Sequence, residues 1–410
     1  MSVTRAQFDA IMNQVLDFAP EVSDVIITTG KPIQAERHGK LTDVPVQPDL
    51  GRLSGAHTKA FAMCLIGDNA RMQKTLVGRG SCDLSYALPG RARFRVNIFS
   101  QRGSLAMILR KLPTEIPTLE QLGLPSVFKD MAKEKFGIIL VTGGTGSGKS
   151  NSLAALIDLI NTELAVHIIT LEDPIEFTHR HKVGTVNQRE LGVDFDTFAS
   201  GLRAAFRQAP KVILVGEIRD TETMEIALQA AGTGHLVLST IHTTDAGQAI
   251  GRIIGLFEPA EERVVRMRLA ENLKYVISQR LLPKVGGGRV AAFEVMRNTL
   301  RIRELILAGE GPEKTFYNVL AEGKAHGMNT FDQYFAALYE QGQITEETAV
   351  LAASDRSRLT QMLDRIKMQR GQSLSDLKLE GFEEDANAKP KPAAAPAAPK
   401  PTAKRPGPGG

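Results

Sequence analysis

Tryptophan is absent from the 410 residues, and aromatic side chains of all kinds make up only 5% of them. A chain so poor in large rings offers no sign of the stacking grooves that hold single-stranded nucleic acid. Cysteine occurs twice, as Cys64 and Cys82, with no Cys-x-x-Cys pair. That excludes a disulfide framework and a cysteine zinc cluster, and leaves two reduced core thiols. No apolar run approaches the roughly 18 to 20 residues of a membrane-spanning helix, and the candidate Phe136 to Val141 stops at the glycines after Thr142. Met1 to Pro20 carries acids among spaced apolar residues and has no leader-like hydrophobic core, so a cytoplasmic location is expected. The formal net charge is +4, but five basic residues and no acid fall in Ala386 to Gly410, leaving −1 for the rest. Global charge therefore gives no argument for nucleic acid as a partner.

With 42% hydrophobic residues the chain can bury substantial cores, and its length suits two or three domains. Residues 1–112 read as a small α+β module: an opening helix, a strand at Asp24 to Thr28, helices within 55–76, and strands across 83–110. Its best-marked strand is Arg91 to Phe99, where Ala92, Phe94, Val96 and Ile98 alternate with Arg91, Arg93, Arg95 and Asn97. That period of two gives one apolar and one cationic face. Ser100 to Gly103 then reads as a turn into the strand Ser104 to Leu109. Three prolines within Pro113 to Pro125 mark 113–125 as a linker. In 126–370, apolar runs at 138–141, 166–171, 212–215 and 236–241 alternate with helical stretches, which predicts a mainly parallel sheet covered on both faces. Residues 258 to about 370 read as mostly helical. Near their end Leu359, Met362, Leu363 and Ile366 share one helix face behind Asp355 as N-cap. The 371–410 tail, rich in Pro, Ala, Lys and Gly from about 386, is expected to be a disordered tether there.

Gly143-Gly144-Thr145-Gly146-Ser147-Gly148-Lys149-Ser150 matches the phosphate-binding loop G-x-x-x-x-G-K-[ST] in full. Its context is the required one. Ile138 to Val141 supplies a strand, and Leu153, Leu156, Ile157 and Ile160 supply the buried face of a helix that opens at the loop. Lys149 would bind the β- and γ-phosphates of ATP, Ser150 would ligate Mg²⁺, and Asn151 follows beside them. Val212 to Val215 is an apolar strand leading to Glu217, placed to orient or activate water. A second strand, His167 to Leu171, runs into Glu172-Asp173-Pro174-Ile175-Glu176; Glu172 could polarise water or hold Mg²⁺ through its hydration shell, or the cluster could be a solvated strand end. His235 and His242 bracket the strand Leu236 to Ile241 on opposite faces, so a shared metal is not expected; both read as ordinary strand-end histidines unless one of them, with His242 as the candidate, senses a γ-phosphate by hydrogen bonding. Arg93 and Arg95 fit a solvated strand face, the more common case for such residues; against that, phosphoryl transfer needs cationic donors, which an arginine finger from another domain or subunit supplies.

Together these stretches resemble the secretion and pilus motor ATPases, and within them the PilT/PilU-like type IV pilus retraction branch. The resemblance runs from Ser23 to about residue 345. It rests on Gly143 to Ser150, Thr170-Leu171-Glu172-Asp173-Pro174-Ile175-Glu176-Phe177, Val215-Gly216-Glu217-Ile218-Arg219-Asp220, and Thr233-Gly234-His235 through His242-Thr243. It implies an α/β chain: a PAS-like N-terminal α+β domain followed by a RecA-like P-loop ATPase domain with a helical C-terminal part. The implied assembly is a homohexamer with ATP between the two domains, acting on an inner-membrane pilus platform protein at the pilus base, with a paralogous motor ATPase as a further partner. The strand Arg91 to Phe99, with Arg93 and Arg95, and also Arg102 and Arg110 stand where that family presents arginines to the phosphates. The length and the missing zinc cysteines favour retraction and twitching motility over the assembly and type II secretion motors of the same superfamily. A RecA-like nucleic-acid translocase is the reading from another class. The chain departs from the family's pattern at Asn151, at Ala209 and Lys211, and at Arg301-Ile302-Arg303-Glu304-Leu305-Ile306, which matches the retraction signature in part and admits an accessory, PilU-like motor.

Overall fold

The computed structural model describes residues 3–371. The tail expected to be disordered from about 386 lies outside them. The chain divides into two units, Met1–Leu363 and Asp364–Gly410. The first carries both sheets.

The N-terminal sheet is wholly antiparallel. Its strands are β1 (Asp24–Ile27), β2 (Gln34–Arg37), β3 (Lys40–Asp43), β4 (Ser81–Leu88), β5 (Ala92–Gln101) and β6 (Ser104–Leu112), in the order β3-β2-β1-β6-β5-β4. One face is packed under helices Arg5–Phe18 and Gly55–Ile66, where the Phe8 ring meets Phe61 at a tilt and Tyr86 edge-on, and Tyr86 stacks on Phe94. On β5 the alternation predicted from sequence holds: Ala92, Phe94, Val96 and Ile98 are buried and the intervening arginines are not. The reading missed β2 and β3. β3 is exposed at all four residues, so no apolar face marks it.

The second sheet has β7 (Gly137–Thr142), β8 (His167–Glu172), β9 (Thr185–Glu190), β10 (Val212–Val215), β11 (Leu236–Ile241), β12 (Leu273–Pro283) and β13 (Arg289–Arg297), in the order β13-β12-β7-β11-β10-β8-β9. All neighbours are parallel except β12 and β13. Along β7, Ile138 and Leu140 face one core while Ile139 and Val141 face the other, because both sides of the sheet are covered. Helix Lys149–Glu163 covers the second side, and helices Phe198–Ala205, Thr221–Gly232, Ala246–Ile254 and Leu300–Ala308 the first.

The expectation that 258–370 is mostly helical needs correction, since β12 and β13 form a hairpin of 11 and 9 residues within it. β12 is buried on both faces over Tyr275 to Gln279, and its apolar residues Tyr275, Val276 and Ile277 are consecutive and followed by the buried polar pair Ser278 and Gln279, so it shows no alternation. The turn residues Gly286, Gly287 and Gly288, all at positive φ, were the available signal. Helix Arg356–Gln369 opens as expected, with the Arg358 amide donating to Asp355 Oδ1 at 3.0 Å and Leu359 and Leu363 buried. Met362 is only half-buried, and Ile366 belongs to the second unit, of which this helix end is described. Among the described residues no helix is long and apolar enough to cross a membrane.

Candidate active site

Because β7, β11, β10 and β8 are parallel neighbours, their carboxyl ends deliver four chemically loaded segments to one edge, the position where open α/β sheets take ligands. β7 runs into the Gly143–Ser150 loop, β11 into His242, β10 into Glu217, and β8 ends on Glu172. A cavity of about 380 Å³ opens there, lined among others by Thr145, Gly146, Lys149, Ser150, Glu172, Glu217 and His242, and by Arg95 of the N-terminal sheet.

The loop's glycines are required by its walls. Gly143 has φ 146°, and a Cβ there would lie 2.4 Å from the Gln279 carbonyl oxygen and 2.6 Å from Ser147 Oγ. Gly148, at φ 93°, caps helix Lys149–Glu163 without a side-chain acceptor, so the first amides of that helix are open to an anion. Lys149 Nζ is buried and donates to the carbonyls of Gly143 and Gly144, each at 2.9 Å. Burial pushes its pKa down, and the carboxylates of Glu217 and Glu176 oppose that. Gly143, Gly144, Ser147 and Gly148 of the loop, and Asn151 in the helix behind it, are not among the residues that line the cavity. Ser147 Oγ is buried with no hydrogen-bond partner. Behind the loop stands β12, which sequence reasoning missed. Ser152 Oγ donates to Gln279 Oε1 at 2.8 Å, and Thr142 Oγ1 donates to Ser278 Oγ at 2.8 Å.

Opposite the loop lie the acids. Glu217 pairs with Arg219, and one of its oxygens is 3.6 Å from His242 Nε2. Its strand end is fixed by Thr240 Oγ1 donating to the Gly216 carbonyl at 2.7 Å. The His242 pKa is lowered, by burial first and then by the Lys149 charge. Glu172 Oε1 accepts from Thr170 Oγ1 at 2.6 Å and from Gln188 Nε2 at 3.0 Å. Burial raises its pKa, as it does that of Asp173. His179, which no motif marked, also lines the cavity, and burial lowers its pKa to about 4. His235 stands apart, beside the Ala230 carbonyl and the Phe206 ring.

Of the predicted arginines, Arg93, Arg95 and Arg110 separate. Arg95 lines the cavity. Arg93 is instead committed to Glu190, Nη2 donating to Oε2 at 2.6 Å, and Arg110 to Asp24, Nε donating to Oδ1 at 2.9 Å. The structure thus does not bring Arg93 and Arg110 to the phosphate loop, because the carboxylates nearest them belong to β9 and β1.

Residues 84–330 match the family model described as type II/IV secretion system protein. The chain is 41% identical to the type IV pilus retraction ATPase PilT of Pseudomonas aeruginosa, over 80% of this chain and 93% of that protein. It is 40% identical to the type IV pilus ATPase PilU of the same organism, over 83% and 87%. The crystal structure of the pilus retraction motor PilT with bound ADP superposes with a TM-score of 0.76 at 40% identity, covering 88% of this chain and all of the other.

Proposed function

Because the chain belongs to the family of type II/IV secretion system proteins and is an ATPase of its pilus-retraction type, we propose that it is a hexameric motor that drives pilus retraction and twitching motility. We read its N-terminal sheet as PAS-like and its parallel sheet as RecA-like. In this reading it works as a homohexamer in the cytoplasm, held against the inner-membrane pilus platform at the pilus base, beside a paralogous motor. The observation that carries the proposal is the meeting of Lys149, Ser150, Glu217, His242 and Arg95 around one cavity.

The mechanism follows from where these groups stand. Lys149 Nζ, now satisfied by two loop carbonyls, exchanges them for oxygens of the β- and γ-phosphates, and the uncapped helix amides close around the same charge. Glu217 takes the proton of the attacking water, and Arg219 and His242 hold its two oxygens toward the cavity. Arg95 spreads the charge that develops on the transferred phosphoryl group. The site suits Mg²⁺, which takes few protein oxygens alongside substrate phosphates. Ser150 and Glu172 both line the cavity; Ser150 would ligate the ion and Glu172 would hold its water shell. When bound, Mg²⁺ neutralises phosphate charge.

Two measurements test this reading. Lys149→Ala should abolish turnover, and Glu217→Gln should bind ATP yet hydrolyse it at least ~100-fold more slowly, since an amide cannot accept the water's proton. A glutamine variant at the wild-type rate would remove Glu217 from the role. In cells, deletion of the gene should leave as many surface pili as before or more, with motility lost. Bald deletion cells with normal pilin levels, restored by complementation, would move the protein to the assembly branch.

A further inference from the structure

The ion pair of Arg93 and Glu190 joins the two sheets at a part-buried point. Arg93 sits on β5 and Glu190 ends β9, and the glutamate is only 4% exposed. Arg93 Nη2 donates to Glu190 Oε2 at 2.6 Å and to Ser85 Oγ, on the neighbouring β4, at 3.0 Å. The same Oε2 accepts from the amide of Ile175 at 3.3 Å. Ile175 stands inside the Glu172–Glu176 segment whose acids line the nucleotide cavity. Glu190 is also paired across the sheet with Glu172 itself. One carboxylate therefore ties the N-terminal sheet to the acidic loop of the other.

Arg95 is two residues along β5 from Arg93, on the same face. Fixing Arg93 against β9 fixes the strand face that presents Arg95 to the cavity. Two other side-chain links run between the modules that carry the sheets: the exposed pair Arg71 to Asp196 at 2.7 Å, and the longer bond from Asn69 to the Gly192 carbonyl at 3.4 Å. Exposed pairs contribute little, whereas a buried carboxylate that loses its counter-ion is left in a poor environment.

We propose that Arg93 and Glu190 form a latch between the two sheets: they are positioning residues that hold Arg95 and the Asp173–Ile175 turn over the nucleotide, and Arg93 does not itself touch the phosphates. The kinetic part of this rests on the ATPase reading above; the latch as a structural device does not.

The test has two arms on the full-length protein. Without nucleotide, amide hydrogen exchange across residues 173–178 should quicken roughly tenfold in Arg93→Ala and return toward wild type in Arg93→Lys. With ATP, Arg93→Ala and Arg95→Ala should each lower kcat roughly 10- to 100-fold with little change in KM, and the double variant should be no slower than Arg95→Ala alone. Glu190→Gln, which keeps the shape and serves if Arg93→Ala folds poorly, should reproduce the kcat loss and add nothing to the Arg93 variant. Multiplying effects of the two arginine substitutions would make Arg93 an independent catalytic group and overturn the latch. So would unchanged exchange in folded Arg93→Ala, or a silent Glu190→Gln. A wild type without ATPase activity would sink the functional reading, while the exchange arm would still decide the latch.

Discussion

Two buried titratable side chains give the protein opposing responses to acid. His179 is held neutral in the fold, its pKa lowered to about 4 by burial. The unfolded chain takes up that proton near the ordinary histidine value of 6.5, so this group makes stability rise with pH from about 4 to 6.5. Glu294 on β13 runs the other way. Burial raises its pKa to about 7, although the amides of Ala246, at 2.9 Å, and Phe331, at 3.4 Å, favour its charged form. The fold keeps a proton that the unfolded chain releases near 4.5, so stability falls as pH rises from about 4.5 to 7. The two slopes roughly cancel between about 4.5 and 6.5. Glu294→Gln removes the falling component, and its unfolding free energy should climb relative to wild type by up to about 3 kcal/mol across that window. Urea titrations at three pH values measure this, and superimposable pH profiles for the two proteins would refute it. Neither group was legible in the sequence. Lys149, Glu217 and His242 were, since their function fixes their spacing from a loop or a strand end. His179, by contrast, reaches the cavity only through the fold of the segment after the acidic motif.

At the scale of elements the sequence was most informative where a strand alternates or abuts a motif, as in β5, β7 and β10. It was least informative for β12, a double-faced strand that reads as a helix when periodicity is the guide. That strand is the back wall of the phosphate loop, so missing it also hid Gln279 and Ser278. Gln279→Ala would leave Ser152 Oγ, fully buried, without its acceptor at a cost of about 1 to 3 kcal/mol. The variant should unfold at lower urea and show a raised KM for ATP, because the helix that carries Lys149 loses a brace one turn in. An unchanged unfolding midpoint would mean that the side chain supports nothing. Helix Leu300–Ala308 gave the opposite outcome: Ile302, Leu305 and Ile306 pack inward as their spacing predicts, while Arg301 and Glu304 pair outward with Glu322 and Lys314. Leu305→Ala should accordingly cost about 2 to 5 kcal/mol of stability, read as a lower urea midpoint.

For the whole molecule the question is which chain completes each site. Sequence could place a cationic strand face in one module and the phosphate loop in another, but the distance between them is a tertiary fact. In the structure Arg95 lines the cavity of its own chain's Lys149 and Glu217, so the arginine is expected to act in cis. Mixing separates the alternatives. In a ring assembled from Arg95→Ala and Lys149→Ala subunits, a cis arginine leaves every site defective: one kind of subunit has the lysine without the arginine, the other the arginine without the lysine. If the arginine served a neighbour, an Arg95→Ala subunit beside a Lys149→Ala subunit would regain a complete site, and activity should rise with the mixing ratio toward a maximum near equal amounts. The cis arrangement predicts a flat line at the level of the parents. The readout requires rings shown to be mixed, for instance by two affinity tags purified in series. Recovery of turnover in such rings would place Arg95 at the subunit boundary and require a different packing of the two sheets in the assembled motor from the one within a single chain.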